Sequence, residues 1–107
     1  MTTLKLSIRH RIQFTALLNT FKGSYSELTD VLKLVEKVRL NIADTEKYGI
    51  KVADDQISWD PKKDEAVDIQ LTDDEKKIAY NMLKKLDDDK QFTLDSRPLV
   101  DIYEQLK

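Results

Sequence analysis

The chain of 107 residues contains no cysteine, one histidine, two glycines and two prolines. Without cysteine it can form neither a disulfide framework nor a thiolate metal or redox site, which is compatible with a reducing compartment such as the cytoplasm. The scarcity of glycine and proline argues against long disordered or low-complexity segments. No apolar run exceeds three residues, so we expect neither a membrane span nor a signal-peptide core.

The sequence also lacks the patterns that carry most catalytic and cofactor chemistry. His10 is the single histidine, which removes most triad and imidazole–metal arrangements. Gly23 and Gly49 stand alone, so no glycine-rich phosphate loop exists, and no carboxylate pair is spaced as a general acid with its base. We therefore predict no catalytic residue, no cofactor and no metal site, and we interpret His10 as a partly buried residue at the edge of the core.

What the chain does have is a globular mixture, with 40% apolar and 36% charged residues. This length and composition predict one domain over residues 1–107 with a modest core. The charge is uneven, because residues 1–26 carry +4 and residues 54–89 carry −6 within a net charge of −2. Such a layout can guide association between unlike surfaces, including two copies of the chain. The alternative, which we favour, is that the two regions are neighbours in one fold.

The first half of the chain predicts a strand followed by helices. The segment "TLKLSI" alternates apolar and polar residues, as a half-buried strand does. The helix after it ends near Gly23, and its apolar stripe is formed by His10, Phe14, Leu17, Leu18 and Phe21. The segment "SYSE" is a capping box of Ser24 with Glu27, and "ADTEKYG" adds a short helical turn. The second helix is predicted to turn one apolar face inward, formed by Leu28, Val31, Leu32, Val35 and Val38.

The second half predicts strands and then two more helices. If Asp54–Asp55 form a two-residue turn, Val52 lies opposite Ile57; a four-residue loop is the alternative. The segment "VDIQL" is a further strand, and Thr72 with Glu75 forms a second capping box. The buried stripes of the last two helices are formed by Ile78, Ala79, Met82, Leu83 and Leu86, and by Leu99, Ile102, Tyr103 and Leu106.

The order β-α-α-β-β-β-α-α predicts an α+β fold. In such a fold a small antiparallel sheet, here of three or four strands, is covered on one face by about four helices.

Three consecutive aspartates, Asp87, Asp88 and Asp89, stand in "KLDDDKQF". Loops that begin at Asp87 or at Asp54 do not have the calcium-ligand spacing of an EF-hand. Aspartate is a weak helix former that prefers turns. We therefore interpret the three as the solvated end of a helix, with a weak cation site or an anionic contact as the alternatives.

The remaining candidate contact residues are marked by charge or by an aromatic ring. Arg9 and Arg11 leave nearly opposite sides of the first helix, which disfavours a basic face for nucleic acid or membrane. Trp59 is assigned to the core face of the sheet, with a binding interface as the alternative. The complete set of candidate partner contacts is Arg9, Arg11, Trp59, Asp73, Asp74, Asp87, Asp88 and Asp89.

The layout resembles that of small uncharacterised proteins of tailed phages and prophages. The likeness rests on the opening "LKLSI", the helix pair "LLNTFKGSYSELTDVLKLVEKV", the strand "ISWD" and the helix "LTDDEKKIAYNMLKKLDDD". It covers nearly the full length, implies a phage or mobile-element origin and transfers no active-site residue.

Three functional hypotheses follow. The first is a non-enzymatic protein that acts by protein–protein contact or self-association, as a phage accessory or assembly factor in the host cytoplasm or the virion. The second is an inhibitor that presents its acidic segment 54–89 to a host nucleic-acid-binding protein. The third is an enzyme of unknown class.

Overall fold

A computed structural model describes residues 2–40, 42–53, 56–60, 62 and 64–107. These residues form four strands, namely β1 (Thr2–Leu6), β2 (Lys51–Ala53), β3 (Gln56–Ser58) and β4 (Val67–Leu71). They also form five α-helices, namely α1 (Ile8–Leu18), α2 (Tyr25–Val38), α3 (Ile42–Tyr48), α4 (Asp73–Asp88) and α5 (Arg97–Leu106), with a 3₁₀ turn (Leu94–Ser96) before α5. The α+β class is confirmed, and the short turn predicted at "ADTEKYG" is the full helix α3.

The centre of the fold is the antiparallel pair of β1 and β4. Leu4 lies opposite Ile69, and Thr2 lies opposite Leu71. Because side chains alternate across a strand, the apolar positions of both strands share one face, and Leu4, Leu6 and Leu71 are fully buried. The alternation read from the sequence therefore predicts both strands correctly.

The strands β2 and β3 form a second antiparallel pair, separate from the first within the described residues. Val52 lies opposite Ile57, as the sequence predicts, while the turn proposed at Asp54–Asp55 lies outside the described residues. The expected single sheet of three or four strands is therefore two pairs. All three residues of β3 are exposed, so β3 adds little to the core.

Helices pack around the β1–β4 pair and complete the core. The helical members of this core cluster come from α1, α2, α4 and α5, and Tyr48 of α3 is buried outside the cluster. The helical cluster members are Phe14 and Leu18 of α1, Val31, Leu34 and Val38 of α2, Ile78, Ala79 and Leu83 of α4, and Ile102, Tyr103 and Leu106 of α5. Every helix stripe predicted from the sequence thus contributes to the core.

Capping boxes fix where the α-helices α1, α2 and α4 begin. Ser24 with Glu27 starts α2 and Thr72 with Glu75 starts α4, which confirms both sequence predictions. A third box starts α1, where the Ser7 backbone N–H donates to His10 Nδ1 over 3.1 Å. The sequence does not predict this third box, because the motif is recognised by Glu or Gln at the position that His10 occupies.

Two expectations for α2 are wrong. Leu28 and Leu32 were predicted to face the core, but they are 42% and 58% exposed. Leu34, which the predicted face omitted, is fully buried. The apolar positions of α2 cover more than one side of the helix, and helical spacing alone does not say which side meets the rest of the molecule.

A buried arginine joins three helices. Arg11 of α1 is only 7% exposed, and its guanidinium donates to Val38 O over 2.8 Å and to Arg39 O over 3.0 Å. It also pairs with Asp44 Oδ2 at 3.0 Å. Carbonyls at a helix C-terminus lack partners inside the helix and carry partial negative charge. Arg11 therefore caps α2 and fixes α3 at the same time.

We predict that replacing Arg11 destabilises the fold strongly. Arg11→Met should lower the free energy of unfolding in urea by about 3 kcal/mol, because it removes the buried donor to two carbonyls at the end of α2 and the cation that pairs with the half-buried Asp44. The matched control is Arg9→Met on the same helix, where the side chain is exposed and the loss should stay below about 1 kcal/mol. Equal losses for the two variants would contradict this account.

Candidate functional site

A groove of about 750 Å³ lies where α2 and α4 meet the end of α1 and the segment after it. We call it the α1–α2–α4 groove. Its apolar lining is formed by Leu17, Phe21, Ile78, Met82 and Leu86. Four of the five are only half-buried and pack against the core from outside. The groove is open to solvent rather than enclosed, so its apolar floor is accessible to a binding partner.

The local sequence explains how this floor is built. Ile78, Met82 and Leu86 are spaced by four residues, so they lie in one row along α4. Phe21 follows α1, which ends at Leu18 rather than near Gly23. A Cβ at Gly23 would lie 2.6 Å from Cζ of Phe21. Any larger residue at position 23 would therefore require the Phe21 ring to shift, and Gly23 does not end α1 as predicted.

The rim of the groove carries charges of both signs. The cations are Lys22, Lys77 and Lys85, and the anions are Glu27, Asp30, Asp74 and Asp89. This balance gives neither a basic face for phosphates nor a uniformly acidic one. A partner surface of mixed charge fits such a rim better than a polyanion does.

A second depression, of about 460 Å³, adjoins the groove and shares Leu17 and Leu86 with it. Phe92 and Leu99 extend the apolar lining there. Gln13 Nε2 donates to Asp95 O over 2.7 Å, whereas Gln13 Oε1 is buried without a partner in the described part of the chain. An unsatisfied buried acceptor is unfavourable.

An ion pair holds two walls of the groove together. Lys37 of α2 donates from Nζ to Glu75 Oε1 of α4 over 2.7 Å, and Glu75 is only 3% exposed. Burial alone would raise the pKa of Glu75. The hydrogen bonds from Lys37 and from the Thr72 backbone N–H, together with the positive charge of Lys37, outweigh burial and lower the pKa from its usual 4.5.

The structure places two of the predicted contact residues, Asp74 and Asp89, on the rim of the groove. Asp73, Asp87 and Asp88 are exposed at the same two ends of α4. Arg9 and Trp59 are brought together elsewhere, with the Arg9 guanidinium 5.9 Å from the centroid of the indole ring.

Trp59 is half-buried beyond the end of β3 and lies outside the core cluster. The assignment of Trp59 to the core face of the sheet is therefore wrong. Arg11, also a predicted contact, is buried and caps the C-terminus of α2. A partner therefore cannot reach its guanidinium in this structure.

The aspartate run ends α4. Gln91 N–H donates to Leu86 O over 2.8 Å and Lys90 N–H donates to Asp87 O over 3.0 Å, which is the hydrogen-bond pattern of a Schellman motif. Lys90 has a φ of 57°, a left-handed conformation in which glycine is favoured. Asp88 pairs with Lys84 one turn back at 3.2 Å. Helix termination thus accounts for this segment.

Ser7, His10 and Asp101 form a hydrogen-bonded chain of the residue types found in hydrolytic triads. Ser7 Oγ lies 2.6 Å from His10 Nδ1, and His10 Nε2 lies 3.1 Å from Asp101 Oδ2. The Ser7 N–H also donates to Nδ1, and Ser7 Oγ accepts from the His10 N–H as the cap of α1. The imidazole therefore connects the α1 cap to α5, and neither depression is lined by Ser7.

Within the described ranges, no group of three or more His, Asp or Glu side chains is placed to hold a metal ion. Among the same residues, no helix combines the length and hydropathy that crossing a membrane requires. Comparison of the chain with protein-family models, with curated proteins and with solved structures finds no match. The candidate site therefore rests on geometry alone.

The sequence predicts that the apolar residues of the groove are apolar helix positions, but it assigns them to the buried core. It assigned Met82 and Leu86 to the buried stripe of α4, together with Ala79 and Leu83. Ala79 and Leu83 are fully buried, whereas Met82 and Leu86 are half-buried in the groove. The width of the apolar stripe around α4 could have indicated the groove. A stripe this wide covers more of the helix surface than the core alone can bury.

We predict that Glu75 makes stability depend on pH. Its lowered pKa means that the Lys37 pair stabilises the fold fully above pH 4.5 and loses this contribution as the pH falls through the pKa of the folded state. Glu75→Gln should lower the free energy of unfolding in urea by about 1–2 kcal/mol at pH 7. The loss should be smaller at pH 3.

The matched control is Glu27→Gln in the exposed capping box of α2, which should cost less than about 0.5 kcal/mol at pH 7. A loss for Glu75→Gln that is the same at both pH values would contradict the assignment.

Proposed function

We propose that this chain is a non-enzymatic protein that binds another protein, and that the α1–α2–α4 groove receives an amphipathic helix of its partner. The observation that carries the proposal is the row of Ile78, Met82 and Leu86 beside Leu17 and Phe21, left half-open under a rim of mixed charge. An amphipathic helix of the partner presents apolar side chains at intervals of three and four residues along one side. Such a side can lie along this apolar row.

The shape and charge of the groove favour a helix over a small molecule or a nucleic acid. A small-molecule pocket encloses most of its ligand, whereas this groove is open to solvent. A nucleic acid would meet Glu27, Asp30, Asp74 and Asp89 around the apolar floor, and like charges oppose its approach. A helix with apolar residues on one side and both signs of charge along its flanks matches the apolar floor and the mixed charge of the rim.

The proposed origin and place of action rest on the resemblance of the sequence layout to that of small phage and prophage proteins. On that basis the chain acts as an accessory or assembly protein of a phage or other mobile element, in the host cytoplasm or in the virion. Its partner is then another protein of the element or of the host.

The test is selection of helical ligands on the full chain. A displayed library of amphipathic peptides, each about 15 residues long, is enriched on the wild-type protein, and the enriched peptides are titrated by fluorescence polarisation. We expect apolar residues at helical spacing in the enriched sequences. Met82→Glu should weaken their binding at least about tenfold, because it places a carboxylate on the apolar floor.

The control for this variant is Leu94→Glu, a change at a side chain that is 96% exposed and outside the groove lining. It should leave peptide affinity unchanged. Circular dichroism and urea unfolding establish that both variants fold. Enrichment without helical spacing, or equal affinity for wild type and Met82→Glu, would overturn the groove as the binding site.

A second candidate function is inhibition of a nucleic-acid-binding protein by the acidic segment 54–89. The exposed carboxylates at both ends of α4 favour it, although four lysines of the same helix interrupt the negative surface: Lys76, Lys77, Lys84 and Lys85. The probe is competition with duplex DNA for a DNA-binding enzyme of the host. If this candidate is correct, competition is lost when the five exposed aspartates of α4 and its C-cap become asparagine, and it survives Met82→Glu.

A further inference from the structure

The helix α2 carries an apolar row whose first three members are exposed to solvent. Tyr25 is 86% exposed, Leu32 is 58% exposed and Leu28 is 42% exposed. Val35, which is half-buried and packs against the core from outside, continues the row. We call these four residues the α2 stripe.

The stripe is distinct from the core face of α2 and from the groove. The core face is formed by Val31, Leu34 and Val38, and the groove is lined from α2 by Glu27 and Asp30. The four stripe residues follow each other at intervals of three, four and three, so they lie along one side of the helix. A contiguous row of exposed apolar residues marks a contact surface more often than scattered ones do.

We propose that a second copy of this chain covers the α2 stripe, with the two α2 helices packed antiparallel around a two-fold axis. This proposal deepens the proposed function, on which it rests, by naming one protein partner and the surface that it uses. It does not use the groove, so the two surfaces can be tested separately.

The spacing of the stripe residues is the same when it is read from either end of α2, as pairing about a two-fold axis requires. Intervals of three, four and three read the same in both directions. An antiparallel α2 from the second copy therefore places its Leu32 against Leu28 and its Val35 against Tyr25. An interface between identical copies must be complementary to itself, and this row meets that condition without any change in the fold.

The charges beside the stripe permit the pairing. Thr29, which is uncharged, flanks the centre of the row on its outer side. Glu36 flanks the C-terminal end of the row, so the antiparallel arrangement separates it from Glu36 of the second copy by most of the length of the helix. Like charges therefore do not meet.

The charge of α2 disfavours a membrane surface as the occupant. The helix carries three acids, Glu27, Asp30 and Glu36, and two lysines, Lys33 and Lys37. Helices that lie on anionic membranes carry a basic polar face, which α2 lacks.

The size of the stripe predicts a weak dimer. A helix of 14 residues is about 21 Å long and about 10 Å wide, so the paired face covers on the order of 200 Å² per copy. Standard stable complexes bury about 800 Å² per partner. We therefore expect a dissociation constant between roughly 10 µM and 1 mM, with monomers at low protein concentration.

Sedimentation equilibrium over a wide range of protein concentration is the first test. The wild-type chain should move from monomer to dimer, and Leu28→Ser or Leu32→Ser should raise the dissociation constant at least about tenfold. Both substitutions are at exposed positions and should leave the fold intact, which urea unfolding checks. The matched controls are Ile42→Ser and Leu94→Ser, at residues 82% and 96% exposed outside the stripe, and these should dimerise like wild type.

Cysteine trapping tests the antiparallel arrangement, since the natural chain contains no cysteine. Leu28→Cys and Leu32→Cys proteins are mixed under mild oxidation. The mixed disulfide between the two variants should form at least several-fold faster than either homodimer disulfide, because disulfides require close Cβ atoms. Preferred homodimer disulfides would indicate parallel helices and would overturn the proposed arrangement.

The outcomes separate this proposal from the proposed function. A monomer at every concentration, or a dimer that Leu28→Ser and Leu32→Ser leave unchanged, overturns the α2 pairing, while helical peptides can still bind the groove. Loss of dimerisation in Met82→Glu but not in the stripe variants would place self-association in the groove instead. Failure of the peptide selection with a stripe-dependent dimer would overturn the groove and retain the α2 pairing.

Discussion

The antiparallel pairing of β1 with β4 is the constraint on which the rest of this structure depends. It joins the first residues of the chain to a segment more than sixty residues later, and the apolar side chains of both strands lie on one face. Helices from both halves of the chain bury their apolar stripes around this face. The position of the helices therefore depends on this strand pair, because the pair supplies their common surface.

Two charged groups then orient the helices relative to one another. Arg11 joins the C-terminus of α2 to α1 and α3, and Glu75 joins the N-terminus of α4 to α2 through Lys37. A charge that is out of water requires partners in fixed positions, because leaving it unpaired is costly. These two contacts therefore hold the helices that form the groove and present the outer face of α2.

The groove and the α2 stripe are two different ways of leaving apolar surface uncovered. In the groove, Met82 and Leu86 are half-buried at a junction of helices, so a convex apolar partner fits. On the stripe, Tyr25 and Leu32 project from one helix, so a second flat helix face fits. A small core cannot cover every apolar position of helices whose apolar sides are this broad. The remaining positions are the surfaces that we propose for partner and self-contact.

Local patterns in the sequence determined the strands β1 and β4, the opposition of Val52 to Ile57, and the capping boxes of α2 and α4. These features depend on residues near one another along the chain, or on simple alternation, and so can be predicted without the fold. Tertiary structure alone decided that Arg11 is buried, that Leu28 and Leu32 are exposed while Leu34 is not, and that Met82 lines a groove. Each of these depends on which side of a helix meets a distant segment, and helical periodicity marks an apolar side without naming what covers it.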